Sequence, residues 1–298
     1  MTDARADDEV RTFIHGMWAG VATAWGANAD DVDRRAAAIT ERMLDSVDLR
    51  PGDRLLELAC GPGGAGLAAA ERLGPDGEVV LSDVVAGMVD IARRRAEERG
   101  VRNVSTKVLD LEDIAESDGS YDVVLSREGM MFALEPKRAA REMHRVLRPA
   151  GRVAIAVWGP RQDNPWLGLL LDTITEVTGV VVPPPGVPGP FALSDAGVLR
   201  QLFVDAHFTD VTIERVAAPL RAPSFDAWWT RNLTVAGPVV AFLNGLDDAT
   251  RSRLRDTVHT AVARYETDGA LELPGVASVL TARRFLEAQP SEVPPRGA

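Results

Sequence analysis

The sequence predicts an α/β protein: a doubly wound, mostly parallel seven-stranded sheet with a helical cap over the carboxyl ends of its strands. Three observations predict it. From Pro51 to Trp158, short apolar runs alternate with stretches of helical periodicity, the rhythm of βαβ units. The first run ends in a glycine loop, LLELACGPGGAG over residues 55–66, where a buried strand turns into a helix. With 298 residues, 46% hydrophobic and 26% charged, the chain can bury one large core, and it resembles neither a disordered chain nor a disulfide scaffold.

Strands are expected at Arg54–Leu58 (RLLEL), Glu78–Ser82 (EVVLS), Val104–Leu109 (VSTKVL), Tyr121–Ser126 (YDVVLS) and Arg152–Trp158 (RVAIAVW), each next to a loop containing Gly, Asp or Ser. Helices are expected at Gly66–Arg72, Ala86–Arg99 and Lys137–Leu147, the last stopped by Arg148-Pro149-Ala150-Gly151. Residues 160–190 break the rhythm. A helix-like WLGLLLDTITEVTG is followed by VVVPPPGVPGPF, whose five prolines fit neither a helix interior nor a central strand, so the stretch reads as an insertion. Then come an N-capped helix at Ser194–Phe203, a strand at Val211–Arg215, helices over 225–245 and 247–266, and a last strand at Val276–Arg283, antiparallel to its neighbour.

Composition narrows the partners. Lys+Arg 33 against Asp+Glu 44 leaves a formal charge of −11, and the basic residues are scattered among acids, which argues against nucleic acid. A single cysteine, Cys60, excludes an internal disulfide and suits a reducing, cytoplasmic setting. His15, His144, His207 and His259 lie far apart, so no metal site is expected. The acidic opening MTDARADDEV is not a signal peptide, and no apolar run approaches a membrane span, so no membrane partner is expected. A homodimer stays open.

The chemistry turns on the glycine loop. Gly61, Gly63, Gly64 and Gly66 remove Cβ atoms where the backbone would approach a ligand at the carboxyl end of the first strand. The letters also satisfy the dinucleotide pattern G-x-G-x-x-G, with Asp83 following as an acid, so an NAD(P)-dependent oxidoreductase is one alternative. Glu57 argues against it. A carboxylate four residues before the first loop glycine would repel a pyrophosphate and suit a ligand carrying positive charge, and no Tyr-x-x-x-Lys-like pair is present. A cofactor-binding protein without catalysis is a third reading.

E57-L-A-C-G-P-G63 resembles the first motif of the class I S-adenosylmethionine-dependent methyltransferases, which have a Rossmann-like fold. Further landmarks follow in order: Asp83 in VVLSD, Asp110 in KVLDLED, YDVVLSREGMMF over 121–132 and HRVLRPAGRVAIAVWG over 144–159. The resemblance is closest to the ubiquinone/menaquinone-biosynthesis type and its small-molecule relatives in secondary metabolism, and it covers about residues 50 to 160. It implies S-adenosylmethionine as cofactor and a small-molecule substrate. By the same resemblance Asp83 would accept from the ribose hydroxyls and Asp110 from the adenine amino group, with Leu111 against the ring. It also assigns to the cofactor site Glu57, Ala59, Cys60, Gly61 and Gly63 from the first motif, Val84 and Met88 after Asp83, and Ser126 and Arg127 from the fourth-strand motif. Ala150 and His207 stand where many relatives have glycine.

The implied organisation is an N-terminal helical segment over the cofactor site (1–50), a cofactor-binding core (51–160), a lid insertion (161–190), remaining strands and cap helices (191–285) and a disordered tail (286–298). Substrate choice is expected in 160–190 and 225–266, with the loop Arg127–Phe132 as the pocket floor. Catalytic candidates are His15 and Glu128. Cys60 reads as packing, as do Trp18, Trp25, Trp166, Trp228 and Trp229. His144 reads as solvated, His259 as surface and His207 as structural.

Overall fold

Leu55, Leu56, Val79, Val80, Val123 and Val124 are fully buried, as strands covered on both faces must be. In the computed structural model, which describes residues 2–285, they lie at the centre of the sheet. The expected tail, 286–298, lies outside the described residues.

The chain opens with helices α1 (Thr2–Ala27), α2 (Ala29–Arg35) and α3 (Ala37–Ser46). The alternating part follows: β1 (Arg54–Glu57), α4 (Gly64–Leu73), β2 (Glu78–Asp83), α5 (Ala86–Glu98), β3 (Val104–Val108), β4 (Tyr121–Arg127), α6 (Pro136–Val146) and β5 (Leu147–Trp158). Next come α7 (Pro165–Thr178), α8 (Ala196–Asp205), β6 (Phe208–Ala217), β7 (Leu220–Ala222), α9 (Phe225–Val235), α10 (Pro238–Asn244), α11 (Asp248–Val262), β8 (Glu266–Thr267), β9 (Ala270–Leu273) and β10 (Val276–Arg284). The main sheet has seven strands in the order β3-β2-β1-β4-β5-β10-β6. Its β1–β5 pairings are parallel, and β10 runs antiparallel to both β5 and β6, as expected for the last pair.

Three local expectations are corrected. The cap of α8 is Asp195, not Ser194: its carboxylate accepts from the Gly197 and Val198 amides. The single helix expected over 225–245 is two, broken at Gly237-Pro238, where Gly237 takes φ 53°. The helix expected over 247–266 ends at Val262, and a small sheet ordered β7-β9-β8 follows, whose hairpin turns at Asp268 (φ 51°) and Gly269 (φ 81°). The tail of the 161–190 segment runs over the surface, but α7 itself buries Leu167, Leu170, Leu171 and Ile174 in the core.

Ala150 (φ 63°) and His207 (φ 67°) both adopt left-handed backbone, which explains why glycine would suit these two turns. Ala150 is exposed, so Ala150→Gly removes the Cβ strain and loses no packing. The variant should gain about 0.5–1 kcal/mol, the strain relieved less the extra chain entropy of glycine. The check is an upward shift in the thermal midpoint; a downward shift rejects it. His144 packs edge-on against Phe208 at 5.1 Å rather than standing free in solvent, and burial lowers its pKa. His259 stacks on Phe225 at 4.1 Å.

Candidate active site

Between β1 and α4 the chain is forced into a tight curve: Ala59, Gly61 and Gly63 take φ 51°, 52° and 85°. The Cys60 amide donates to Ser82 O at 2.8 Å, and the Gly63 amide to Cys60 O at 2.8 Å. The loop glycines, however, face different neighbours. A Cβ at Gly64 would overlap the Asp33 carboxylate, and one at Gly66 would overlap Leu81 and Glu57. A Cβ at Gly63 would sit 3.0 Å from both Ala92 and Leu81. At Gly61 alone of these four it would enter open space, and Gly61 borders a cleft. Of these glycines only Gly61 faces open space; the others make room for the protein's own α2, α5 and β2.

Glu57 likewise faces the protein. It is 1% exposed, does not border the cleft, and accepts the Gly66 amide at 2.7 Å, pinning the start of α4 to the end of β1. Burial pushes its carboxyl up to about 7, against the opposing pull of Arg127 and the Gly66 amide. The folded chain therefore holds this proton more tightly than the unfolded chain, whose value is near 4.5. The resulting stabilisation is full below 4.5 and is lost as pH rises through about 7. Glu57→Gln should remove this dependence, moving the stability difference by about 3 kcal/mol in the variant's favour between about pH 5 and pH 8. Urea unfolding at the two pH values reads it; a difference that does not vary with pH rejects it.

Behind the loop lies a buried ion network. Asp33 of α2 accepts from Arg95 at 2.7 Å and from Arg127 at 3.0 Å. Arg95 also donates to Pro62 O at 2.8 Å, and Arg127 to Thr40 at 2.7 Å. Its two guanidinium partners hold the Asp33 carboxyl below the usual range despite burial. Arg127 borders the cleft, but its guanidinium is engaged by α2 and α3.

The cleft, about 960 Å³ of space partly open to solvent, lies beyond the carboxyl ends of β1, β2 and β4. Of the residues expected at the cofactor site, Ala59, Cys60, Gly61, Asp83 and Val84 border it. So do Met88, Asp110, Leu111 and Arg127, together with both catalytic candidates, His15 and Glu128. Glu57, Gly63 and Ser126 do not. Ser126 is fully buried, with an unpartnered hydroxyl behind Gly129. Asp83 accepts the Gly61 and Val85 amides, each at 2.9 Å, one on each carboxylate oxygen. Burial raises its pKa, while those amides and His15 pull it down. Asp110 accepts the Glu112 amide at 2.8 Å and pairs with Arg11 of α1 at 3.2 Å. Arg11, unnoticed in the sequence, also pairs with Glu112 at 2.7 Å and so fastens α1 to the chain after β3. Cys60 is buried, and burial together with Glu57 and Asp83 raises its thiol pKa well above the ordinary value, so it is not a ready nucleophile.

A second cavity of about 670 Å³ adjoins the first. Trp18, Trp25, Phe132, Trp158 and Trp166 make it aromatic. Trp18, Trp25 and Trp166 were expected in the core. Trp18 meets Trp25 edge-on at 5.6 Å and Phe132 at 4.9 Å, and Trp18, Trp25, Glu128 and Phe132 border both cavities. Trp228 and Trp229 are core residues, as expected. Two charged residues missed in the sequence, Arg35 and Arg231, also line the second cavity. For Arg231 a signal existed: in AWWTRNLTV no acid lies three or four residues away on the helix.

The chain matches a methyltransferase-domain family over residues 49–174. It is 36% identical over 219 residues to nocamycin O-methyltransferase of Saccharothrix syringae, covering 66% of this chain and 75% of that protein. The chain belongs to the class I S-adenosylmethionine-dependent methyltransferases. Its cofactor is S-adenosylmethionine. A ubiquinone/menaquinone biosynthesis C-methyltransferase of Ectopseudomonas mendocina is 36% identical over 126 residues, 42% of this chain and about half (49%) of that protein. In fold, this methyltransferase is similar to the crystal structure of YcgJ from Bacillus subtilis (TM-score 0.57, 20% identity, 83% of this chain and 97% of that one). It is also similar in fold to the [4+2]-cyclase SpnF (TM-score 0.56, 22% identity, 85% and 82%). The residues of the methyltransferase's cleft fit the cofactor. Carboxylates at successive strand ends suit hydroxyl and amino donors and a cation, and open space at the Gly61 Cβ position leaves the backbone accessible. No described helix is long and apolar enough to cross a membrane.

Proposed function

We propose that this methyltransferase moves a methyl group from S-adenosylmethionine in the first cavity to a small, flat, mostly apolar molecule in the second, in secondary or quinone-like metabolism. The observation that carries this reading is the shared border of Trp18, Trp25, Glu128 and Phe132, across which a donor and an acceptor would meet in line. The bound cofactor supplies a methyl group already activated on a sulfonium. Asp83 would accept the ribose hydroxyls on the lone pairs that its two amides leave free, and Asp110, beside Leu111, would accept the adenine amino group. Glu57 acts from behind, by holding Gly66. Glu128, on the shared border, would take a proton leaving the acceptor, His15 lines the first cavity only, and Trp18 and Phe132 would exclude water. Substrate choice falls to Trp166, Leu167 and Pro190 of the 161–190 segment and to Asn232, Val235 and Ala236 at the end of α9. The names of the nocamycin and quinone relatives support a small-molecule acceptor.

The test is incubation with methyl-labelled cofactor and a metabolite extract, alongside nucleic acid and protein fractions. Label in a low-mass product is the expected result. Label confined to a macromolecule, or no transfer at all, overturns the reading.

A further inference from the structure

The second cavity is walled by aromatic rings, and the charged residues lining it are Arg35, Arg231 and Glu128, one positive charge in excess. Among the described residues, Asn232 of α9 is the only uncharged amide or hydroxyl side chain that lines it. Asn232 is 4% exposed. Its amide nitrogen donates to the Trp228 carbonyl, one turn back, at 2.9 Å. A carbonyl can only accept, so this bond fixes which way round the amide sits and turns Oδ1 away from that carbonyl. No described residue donates to Oδ1. The atom is not sealed either. Unlike Glu128 Oε1 or the Trp228 ring nitrogen it keeps accessible surface, and on a side chain this deeply buried that surface opens on the cavity. A carbonyl oxygen left without a donor in an aromatic chamber is costly, and a donor on the bound molecule removes the cost.

We propose that Asn232 is a specificity-determining residue: its Oδ1 takes a hydrogen bond from a hydroxyl of the acceptor, so that the second cavity selects hydroxylated aromatic molecules. This deepens the reading above and rests on it for the statement that the second cavity holds the acceptor. The excess of positive charge disfavours an ammonium as the donor. A hydroxyl also accepts, which suits the neighbouring Arg231. That arginine is half-buried and has no hydrogen bond or ion pair among the described residues, with Asp31 acting on it only from a distance.

The probes are 2-naphthol and 2-fluoronaphthalene, which match in shape and differ in the O–H donor, measured by equilibrium dialysis against the full chain saturated with S-adenosylhomocysteine. A hydroxyl stripped of water without finding a partner would make naphthol the weaker ligand by about tenfold or more. With Oδ1 open to receive it, the parent should bind naphthol at least as tightly as fluoronaphthalene. N232L, close in shape but without the acceptor atom, should bind naphthol about tenfold more weakly and keep both fluoronaphthalene and S-adenosylhomocysteine within about twofold of the parent. The parent comparison decides even if N232L does not fold. Naphthol weaker than fluoronaphthalene in the parent, no binding of either, or a folded N232L that weakens neither probe or both alike overturns the proposal. Inhibition of methyl transfer to an extract-derived acceptor separates the two readings. Asn232-dependent naphthol binding without inhibition keeps the hydroxyl site and removes the acceptor from this cavity. Inhibition by naphthol that is equally strong in N232L keeps the acceptor there and removes the role of Asn232.

Discussion

Asp33→Ala should lower the unfolding free energy by about 3–5 kcal/mol, because it removes a carboxylate hydrogen-bonded by two guanidiniums, with Arg99 a third at 3.7 Å, and leaves the Arg127 charge buried. Arg95 keeps Asp30 and Pro62 O as partners, whereas Arg127 keeps only the Thr40 hydroxyl among its hydrogen bonds. Most of the loss therefore falls on Arg127. Denaturant unfolding measures the effect, and a loss below about 1 kcal/mol, the scale of an exposed pair, would falsify it. Geometry adds a second, sharper expectation. The three atoms nearest a Cβ on residue 64 all belong to the Asp33 carboxylate, so Gly64→Ala should be strongly destabilising in the parent and much less so in the Asp33→Ala background.

Gly61→Val and Gly63→Val should fail in opposite ways. At Gly63 the new side chain meets Ala92 and Leu81 at 3.0 Å on a backbone with φ 85°. Left-handed strain and overpacking together should cost about 2–5 kcal/mol of stability. At Gly61, with φ 52°, no protein atom stands in the way, so the fold carries only the backbone strain while the side chain enters the cleft. S-adenosylhomocysteine affinity should then drop by roughly 10–100-fold. Thermal unfolding and calorimetry on both variants decide it. If Gly63→Val stays as stable as the parent, or Gly61→Val binds normally, the division of the loop into a protein-facing and a cleft-facing side is wrong.

How much of this was legible in the sequence follows from the range of each signal. The sheet was legible because strands buried on both faces write their position as unbroken apolar runs, and EVVLS and YDVVLS become β2 and β4 within a residue or two. The loop was legible as a place but not as a set of contacts. Four glycines signal close approach without saying what approaches, and for Gly63, Gly64 and Gly66 it is the protein itself. A lone acid in an apolar strand, Glu57, calls for a partner without naming it, and the structure supplies an amide nine residues on. The hairpin at Asp268-Gly269 had its local signal in the Asp-Gly pair, overridden by the helical pattern before it. The second cavity had almost none. Its walls come from α1, α2, β5, α7 and α9, and no window of sequence holds Arg35 beside Trp166.

The placement of β10 bears on how the chain is made. This strand lies between β5 and β6, and among the described residues β6 has no other neighbour in the main sheet. During synthesis from the N-terminus, β5 therefore emerges with an open hydrogen-bonding edge that stays open until everything from α7 to β9 has left the ribosome. The nascent chain is exposed to mispairing longest at that edge, and β10 works as a keystone: a ribosome stalled before Val276 would hold the glycine loop and both cavity rims on a half-closed sheet with β6 unattached.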